Sequence, residues 1–258
     1  MEELVNNYIS KCELLGYKGI KIKIEEDDVI LERAPKIAEF KIPEFITIIG
    51  RGAFLNNKCI TKVEIPKSVH TIRTSAFHMS GITKIVIPST IKKLGIDLFS
   101  YSALEEVIIE EGITNIPRSA FVECRDLKYV KLPKSLKSID VWAFGMTSSL
   151  KHINLKNVEV INELAFNESA LQKVILGKNI RKVGCRAFEE CRKLKEFKCK
   201  YKIKKFGPRV FSKCNNIETI DINIVKGGLA ENAFEDIECN PRVTINERKI
   251  DISKYIRR

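Results

Sequence analysis

The feature that most constrains this chain is a beat: an Ala-Phe pair, or a close variant of it, returns every 22 or 23 residues. It stands at Ala53-Phe54, Ala76-Phe77, Ala120-Phe121, Ala143-Phe144, Ala165-Phe166, Ala187-Phe188 and Ala233-Phe234, and Leu98-Phe99 and Val210-Phe211 fill the two gaps. Nine phenylalanines on one beat define nine units, and self-similarity at a fixed period of this size marks a solenoid. A second apolar pattern keeps step with the first. It reads Ile60, Val63, Ile65-Pro66, then Ile82, Ile85, Ile87-Pro88, then Leu127, Val130, Leu132-Pro133. Weaker copies begin at Leu104, Leu150, Leu171, Leu194 and Ile217, and Ile37, Phe40 and Ile42-Pro43 open the series. Apolar residues alternating at period two predict a strand, and the proline that follows cannot donate to a ladder, so it marks the strand end. A third apolar pair, such as Val69/Ile72, Ile91/Leu94, Ile113/Ile116 or Ile180/Val183, predicts a second extended piece. Gly50, Gly95, Gly184 and Gly207 follow such pairs and are expected to serve turns with unusual backbone angles. No unit can bury its apolar side alone; stacked units form continuous internal ladders.

An L-x-x-V-x-I-P strand followed by an I-x-x-x-A-F-x-x-C bend resembles the BspA-like leucine-rich-repeat family, the treponemal type of leucine-rich repeat, over about Ile37 to Asn240. The resemblance implies a β-rich, right-handed, curved leucine-rich-repeat solenoid with a parallel sheet of about nine strands and few helices. Cys124, Cys191 and Cys214 hold the family's cysteine position, but Asn57, Ser80, Ser102, Thr147, Ser169 or Ile237 replaces it elsewhere, so a full cysteine ladder is absent. Members of the family are often surface or secreted proteins that bind host or partner macromolecules, which makes binding the expected role here.

The ends read as caps. Leu4, Val5, Tyr8, Ile9, Cys12 and Leu15 keep helical spacing up to Gly16, and Ile20/Ile22/Ile24 with Val29–Leu31 read as a hairpin around the acidic turn Glu25–Asp28. The expected division is an N-terminal cap over 1–36, the solenoid over 37–240 and a C-terminal cap over 241–258, where Val243/Ile245 and Ile250/Ile252 close the stack. Capping is needed because an uncovered last rung presents apolar and unpaired edges.

Composition narrows the chemistry. With 44% hydrophobic residues in 258, the chain has enough apolar material for a large core. No run approaches the ~18–20 apolar residues of a membrane span. Met1-Glu2-Glu3-Leu4 lacks the basic start of an export signal, so the chain as it stands is expected in the cytoplasm, or at the surface or outside the cell if a signal has been removed. The eight cysteines form no C-x-x-C pair and no Cys/His cluster, so buried thiols rather than a metal site are expected. Cys191 and Cys214 hold the same place in adjacent units, so they are expected to be reduced in a cytoplasmic protein and able to bridge in an exported one. His70, His78 and His152 stand in no nucleophile, zinc or general-base motif. No enzyme, no cofactor and no small-molecule substrate is expected.

Two surfaces are candidates for binding. In a parallel stack the outward strand residues align across units, and one row reads Glu39, Lys62, Lys84, Glu106, Tyr129, His152, Lys173, Glu196, Thr219. Its neighbour reads Lys41, Glu64, Val86, Ile108, Lys131, Asn154, Ile175, Lys198, Asp221. Val86, Ile108, Tyr129, His152 and Ile175 are expected to form a partner-binding centre on the concave face, apolar groups ringed by charge. The partner is expected to be a protein. The alternative is a polyanion, acidic glycan or nucleic acid, on the basic stretch. Of the net charge of +12, nearly all comes from Lys178–Lys213, where fourteen basic residues meet three Glu. Lys195, Lys198, Lys200, Lys202, Lys204 and Lys205 are its expected centre, placed on two adjoining units. Phe197 and Phe206 fall at core positions, which leaves Tyr201 as the free aromatic there.

Overall fold

The structure, a computed structural model, describes residues 1–237 and 239–252. Each unit is one turn of a solenoid with two strand-bearing sides joined by a turn and by the Ala-Phe bend. On the first side, Glu39–Lys41, Lys62–Glu64, Lys84–Ile87, Glu106–Ile109 and Tyr129–Lys131 pair in parallel. The same side resumes with Lys173–Ile175, Glu196–Ile203, Thr219–Ile224 and Arg242–Ile245, closed by the antiparallel strand Arg248–Ile250. The nine parallel strands expected there exist among the described residues, but in two blocks rather than one sheet. The break falls at 151–154, where Asn154 Oδ1 accepts the N–H of Lys156 at 3.2 Å. Such a local side-chain bond competes with the ladder. Ile153 is accordingly only partly buried, whereas its counterparts Val130 and Val174 are in the core.

The other side carries two-residue strands, again in two blocks, Ile48–Ile49 to Lys93–Leu94 and Asn115–Ile116 to Lys205–Phe206. Proline explains this second break. In most units the residue after the strand donates its N–H to the preceding unit, as Gly95 does to Ile72 O at 2.8 Å and Asp140 to Ile116 O at 2.9 Å. Pro117 holds that place and has no N–H to give. On the first side the prolines end strands as expected. The carbonyls of Pro66, Pro88 and Pro133 then accept the N–H three residues on (3.2, 3.0 and 3.2 Å), which starts the turn to the second side.

The core is organised by the phenylalanines. From Phe54 to Phe188 successive rings are stacked with centroids 4.6, 5.1, 5.4, 5.0, 5.4 and 5.2 Å apart. All seven are at most 1% exposed, and each aromatic pair adds about 0.5–1.5 kcal/mol to the burial itself. A buried alanine precedes six of these seven rings, and Leu98 precedes Phe99 with the spacing unchanged. To turn so tightly, the chain places residues on both sides of Ala-Phe in the left-handed region. They include Ser75 and Met79, Asp97 and Tyr101, Trp142 and Met146, and Leu164 and Glu168, with φ between 53° and 60°. These are not glycines, and each costs about 1–2 kcal/mol.

The glycines do a different job from the one expected. Gly50, Gly95, Gly184 and Gly207 are not left-handed. They lie where the preceding unit's backbone passes: a Cβ on Gly184 would meet the Asn162 carbonyl carbon at 2.6 Å, and one on Gly95 would collide with the Thr74 nitrogen. At the N-terminal end, the helix Glu2–Leu14 packs Tyr8 edge-on against Phe45. The hairpin Lys21–Glu25/Asp28–Arg33 pairs in parallel with Ile48–Ile49.

These two backbone devices make opposite predictions for glycine exchange. Gly95→Ala is expected to lose about 2 kcal/mol or more, because the methyl has only backbone to displace. Glu168→Gly relieves left-handed strain and loses chain entropy of similar size, so it is expected to lie between neutral and about 1 kcal/mol more stable. Urea unfolding midpoints of both variants check this, and a more stable Gly95→Ala or a clearly weaker Glu168→Gly would contradict it.

Candidate functional site

The first strand side is where the sequence placed its binding residues. Val86 lies beside Ile108 in the ladder, and Ile108 beside Lys131. In the neighbouring row Tyr129 lies beside Glu106, and Glu106 beside Lys84. Val86 is 45% and Tyr129 51% exposed, while Ile108 is half-buried between them. Val86 and Ile108, with Ile65, floor an open groove of about 650 Å³ whose walls include Lys62, Lys84, Glu64 and Glu106. Ion pairs hold those walls: Lys84–Glu106 at 3.3 Å, Lys62–Glu64 at 3.3 Å and Lys62–Glu39 at 3.6 Å. The hydrogen bond that Lys62 donates to Glu64, then the charge of Glu39, raises the Lys62 ammonium above its ordinary value. Exposed pairs of this kind contribute little stability, but they keep charge at the rim and the apolar floor clear.

The other two residues of the expected centre are not gathered with these three. Ile175 is exposed on the second block, beside Lys198. Lys131 and Asn154 stand between it and Ile108 in the row, a distance of three rungs or roughly 14 Å. His152 is exposed on the irregular stretch between the two blocks, outside either sheet.

The basic stretch divides into paired and unpaired cations. Lys195 reaches Glu218 at 3.5 Å, Lys198 pairs with Glu196, and Lys173 meets the same Glu196 at 2.6 Å. The Lys173 bond, and next that of Lys198, pulls the Glu196 carboxyl below its ordinary range. Lys200, Lys202, Lys204 and Lys205 are exposed and form no ion pair with a carboxylate among the described residues. All six lysines lie on one turn of the solenoid, not on two adjoining units. The eight-residue strand Glu196–Ile203 bulges, so that Lys200 and Tyr201 have no partner in its register with Thr219–Ile224, and the chain then runs on into Lys205–Phe206. Phe197 and Phe206 are buried and Tyr201 is 47% exposed.

Sequence reasoning missed a second apolar patch, where Leu55, Met79 and Tyr101 are exposed around the bends. There His78 Nδ1 bonds Ser100 Oγ at 2.7 Å and its ring meets Tyr101 edge-on. His70 ties Thr71 Oγ1 (2.9 Å) to Asp28 Oδ1 (3.1 Å), which fastens the N-terminal hairpin to the second strand side. Among the described residues, no three His, Cys, Asp or Glu stand close enough to hold a metal ion, and no helix is long and apolar enough to cross a membrane.

With this geometry in place, comparison with known proteins is informative about family and fold. The family model described as BspA type leucine-rich repeat region matches in six copies, over residues 28–151 and 114–240. No curated protein matches the sequence. Among solved structures, a leucine-rich repeat protein from Bacteroides ovatus ATCC 8483 aligns over 87% of this chain and 80% of its own, at 21% identity and a TM-score of 0.51. One from Eubacterium ventriosum ATCC 27560 covers 58% of this chain at 23% identity and a TM-score of 0.45, and this chain spans only 50% of that protein. A T. pallidum leucine-rich repeat protein covers 78% of this chain and 88% of its own, at 20% identity and a TM-score of 0.42.

The cysteine after the bend has a structural use. The thiols of Cys124, Cys191 and Cys214 each donate to a phenylalanine carbonyl of the preceding unit, Phe99, Phe166 and Phe188, at 3.1 Å. Burial pushes the Cys124 and Cys191 thiols up to about 12 and Cys214 well above its ordinary value, and none of these three is in a disulfide. A thiol held so far above neutrality is a poor nucleophile. Native protein at pH 8 is therefore expected to give one fast reaction with a disulfide reagent, at the exposed Cys59, slower ones at Cys185 and Cys239, and the buried five only on unfolding. Two thiols missing from the unfolded total of eight, and recovered by reduction, would instead reveal a bridge.

Proposed function

The chain belongs to the BspA-type leucine-rich-repeat family, and from that membership we propose that it is a non-enzymatic module that binds another protein through the first strand side. The family is one of protein-binding or adhesive modules, which supports the general role. The observation that carries the location is the groove of about 650 Å³ floored by Val86 and Ile108, with the exposed ring of Tyr129 beyond it. An apolar floor inside a rim of ion-paired Lys and Glu is the arrangement of a binding centre: the floor supplies affinity on losing water, and the rim supplies orientation. Tyrosine suits the margin of such a site, since it buries area at low entropic cost and keeps a polar tip. The partner presents an apolar side chain to the floor and charges of both signs around it.

Capture of partners at low and physiological salt, followed by affinity measurement on the one retained at physiological salt, tests this. Ile108→Ala/Tyr129→Ala is expected to weaken that complex at least about tenfold, some 1.4 kcal/mol, as loss of central anchors does. Lys202→Glu/Lys204→Glu/Lys205→Glu is expected to leave it within about threefold, an effect of charge at a distance. Unchanged affinity in the first variant would move the binding site off this face.

A further inference from the structure

Where the chain leaves the first strand side it makes a tight turn in eight of the nine units, and in the remaining one the bulged strand takes its place. The turn's occupants are Glu44, Lys67, Ser89, Glu111, Lys134, Lys156, Lys178 and Lys226, with the bulged Lys200 and Lys202 on the unit between the last two. From Lys134 onward, five consecutive units therefore carry lysine at one edge of the solenoid. All six of these lysines are exposed. None forms an ion pair with a carboxylate among the described residues, although Lys128, Lys173, Lys195 and Lys213 nearby all do. Units stack about 4.8 Å apart, so the edge is a row of lysines without ion pairs among the described residues, roughly 20 Å long. Like charges at this spacing repel one another unless an anion lies along them.

We propose that this edge is a binding ridge for a linear acidic polysaccharide, laid along the solenoid axis so that successive carboxylate or sulfate groups meet successive lysines. Three observations favour that ligand. The charge is a line rather than a patch, which matches a regularly charged chain better than the face of an acidic protein. The residues after three of the turn lysines are Asn157, Asn179 and Gly227, small or amide-bearing groups suited to sugar hydroxyls. Among the described residues Tyr201 is the one exposed aromatic beside the ridge, whereas single-stranded nucleic acid is held by a series of stacking platforms. At one end Glu111 closes the ridge, its carboxylate accepting the N–H groups of Lys134 and Ser135 at 2.9 and 3.0 Å. At the other end Lys202 and Lys226 open onto a shallow depression of about 530 Å³ with Asn223, Asn246 and the carboxylate of Glu247 in its wall, so that an acidic residue bounds the ridge there as well. Lysine rather than arginine fits such a ligand, since its mobile point charge follows anionic groups without demanding one fixed geometry.

The proposal is independent of the protein-binding face and is tested by equilibrium binding of the full chain to heparin, alginate and an oligothymidylate of similar length. One variant replaces Lys134, Lys156, Lys178 and Lys226 by Gln; a control with the same change in net charge replaces the scattered, exposed Lys36, Lys58, Lys92 and Lys193. Matching circular dichroism of both against the native chain establishes that the fold is kept. Native protein is expected to bind heparin or alginate more tightly as salt falls. The ridge variant is expected to lose about tenfold or more in affinity and the control less than about threefold, because only aligned charges displace counterions together. Equal losses in the two variants would reduce the effect to net charge and overturn the proposal. So would the absence of polysaccharide binding at physiological salt, or tighter binding of the oligothymidylate, which would make the ligand a nucleic acid.

Discussion

Each bend in this protein hangs from the next by a short row of backbone bonds, and the central one comes from the phenylalanine. The N–H of Phe54 donates to Ala76, Phe77 to Leu98, Phe99 to Ala120, and so on through Phe188 to Val210, at 2.7–3.0 Å. That bond sets the rise between units, and the rise sets the distance at which the rings stack. A smaller residue at the phenylalanine position leaves a void in a continuous column. The left-handed residues on either side of Ala-Phe follow from the same demand. No single turn of the chain would hold Trp142 or Leu164 at φ of 58° or 55°, but a bend fixed from above and below over-determines them.

Apolar residues announce burial wherever they stand, so the period, the strands and the inward ladders could be read directly from the order of residues. What depends on contacts between units could not. Gly95 looks like a turn glycine until the backbone of Thr74 is found where its side chain would go. The left-handed positions bear Ser, Asp, Trp, Leu, Arg, Glu and Met in turn, so no residue type betrays them. The break at Pro117 was legible in principle, because a missing N–H is a property of the residue; the break near Asn154 rests on a side-chain bond that spacing does not reveal. The charge run misled in a particular way. Counting along the chain makes Lys178–Lys213 the basic region, but charges in a solenoid also meet across units, and that is how Lys195 finds Glu218 and Lys173 finds Glu196 while Lys200 and Lys202 pair with no carboxylate among the described residues. For the strand face, alternation showed which residues point outward, but the unit at which the sheet would break, isolating Ile175 from Ile108, was not visible in it.

The unit that carries the exposed bulge is also the one in which the core departs from its pattern, and the two facts have one cause. Where the flanking units have Val or Ile on the first side and Val or Leu on the second, this one has Phe197 and Phe206, and it alone has Phe on both sides. Phe197 meets Phe188 and Phe211 edge-on at 5.3 and 4.9 Å, and the column opens so that Phe188 and Phe211 stand 6.3 Å apart. Edge-to-face contacts are as favourable as stacked ones, so a wider unit is accommodated without a void. The longer strand Glu196–Ile203 then has more chain than its neighbours can pair, and the surplus, Lys200 and Tyr201, is turned outward. An exposed irregularity that rests on a specific, fully buried aromatic exchange is not slack in the chain. It is built from inside, and removing it by Phe197→Val would leave a cavity under the very rung on which these lysines stand.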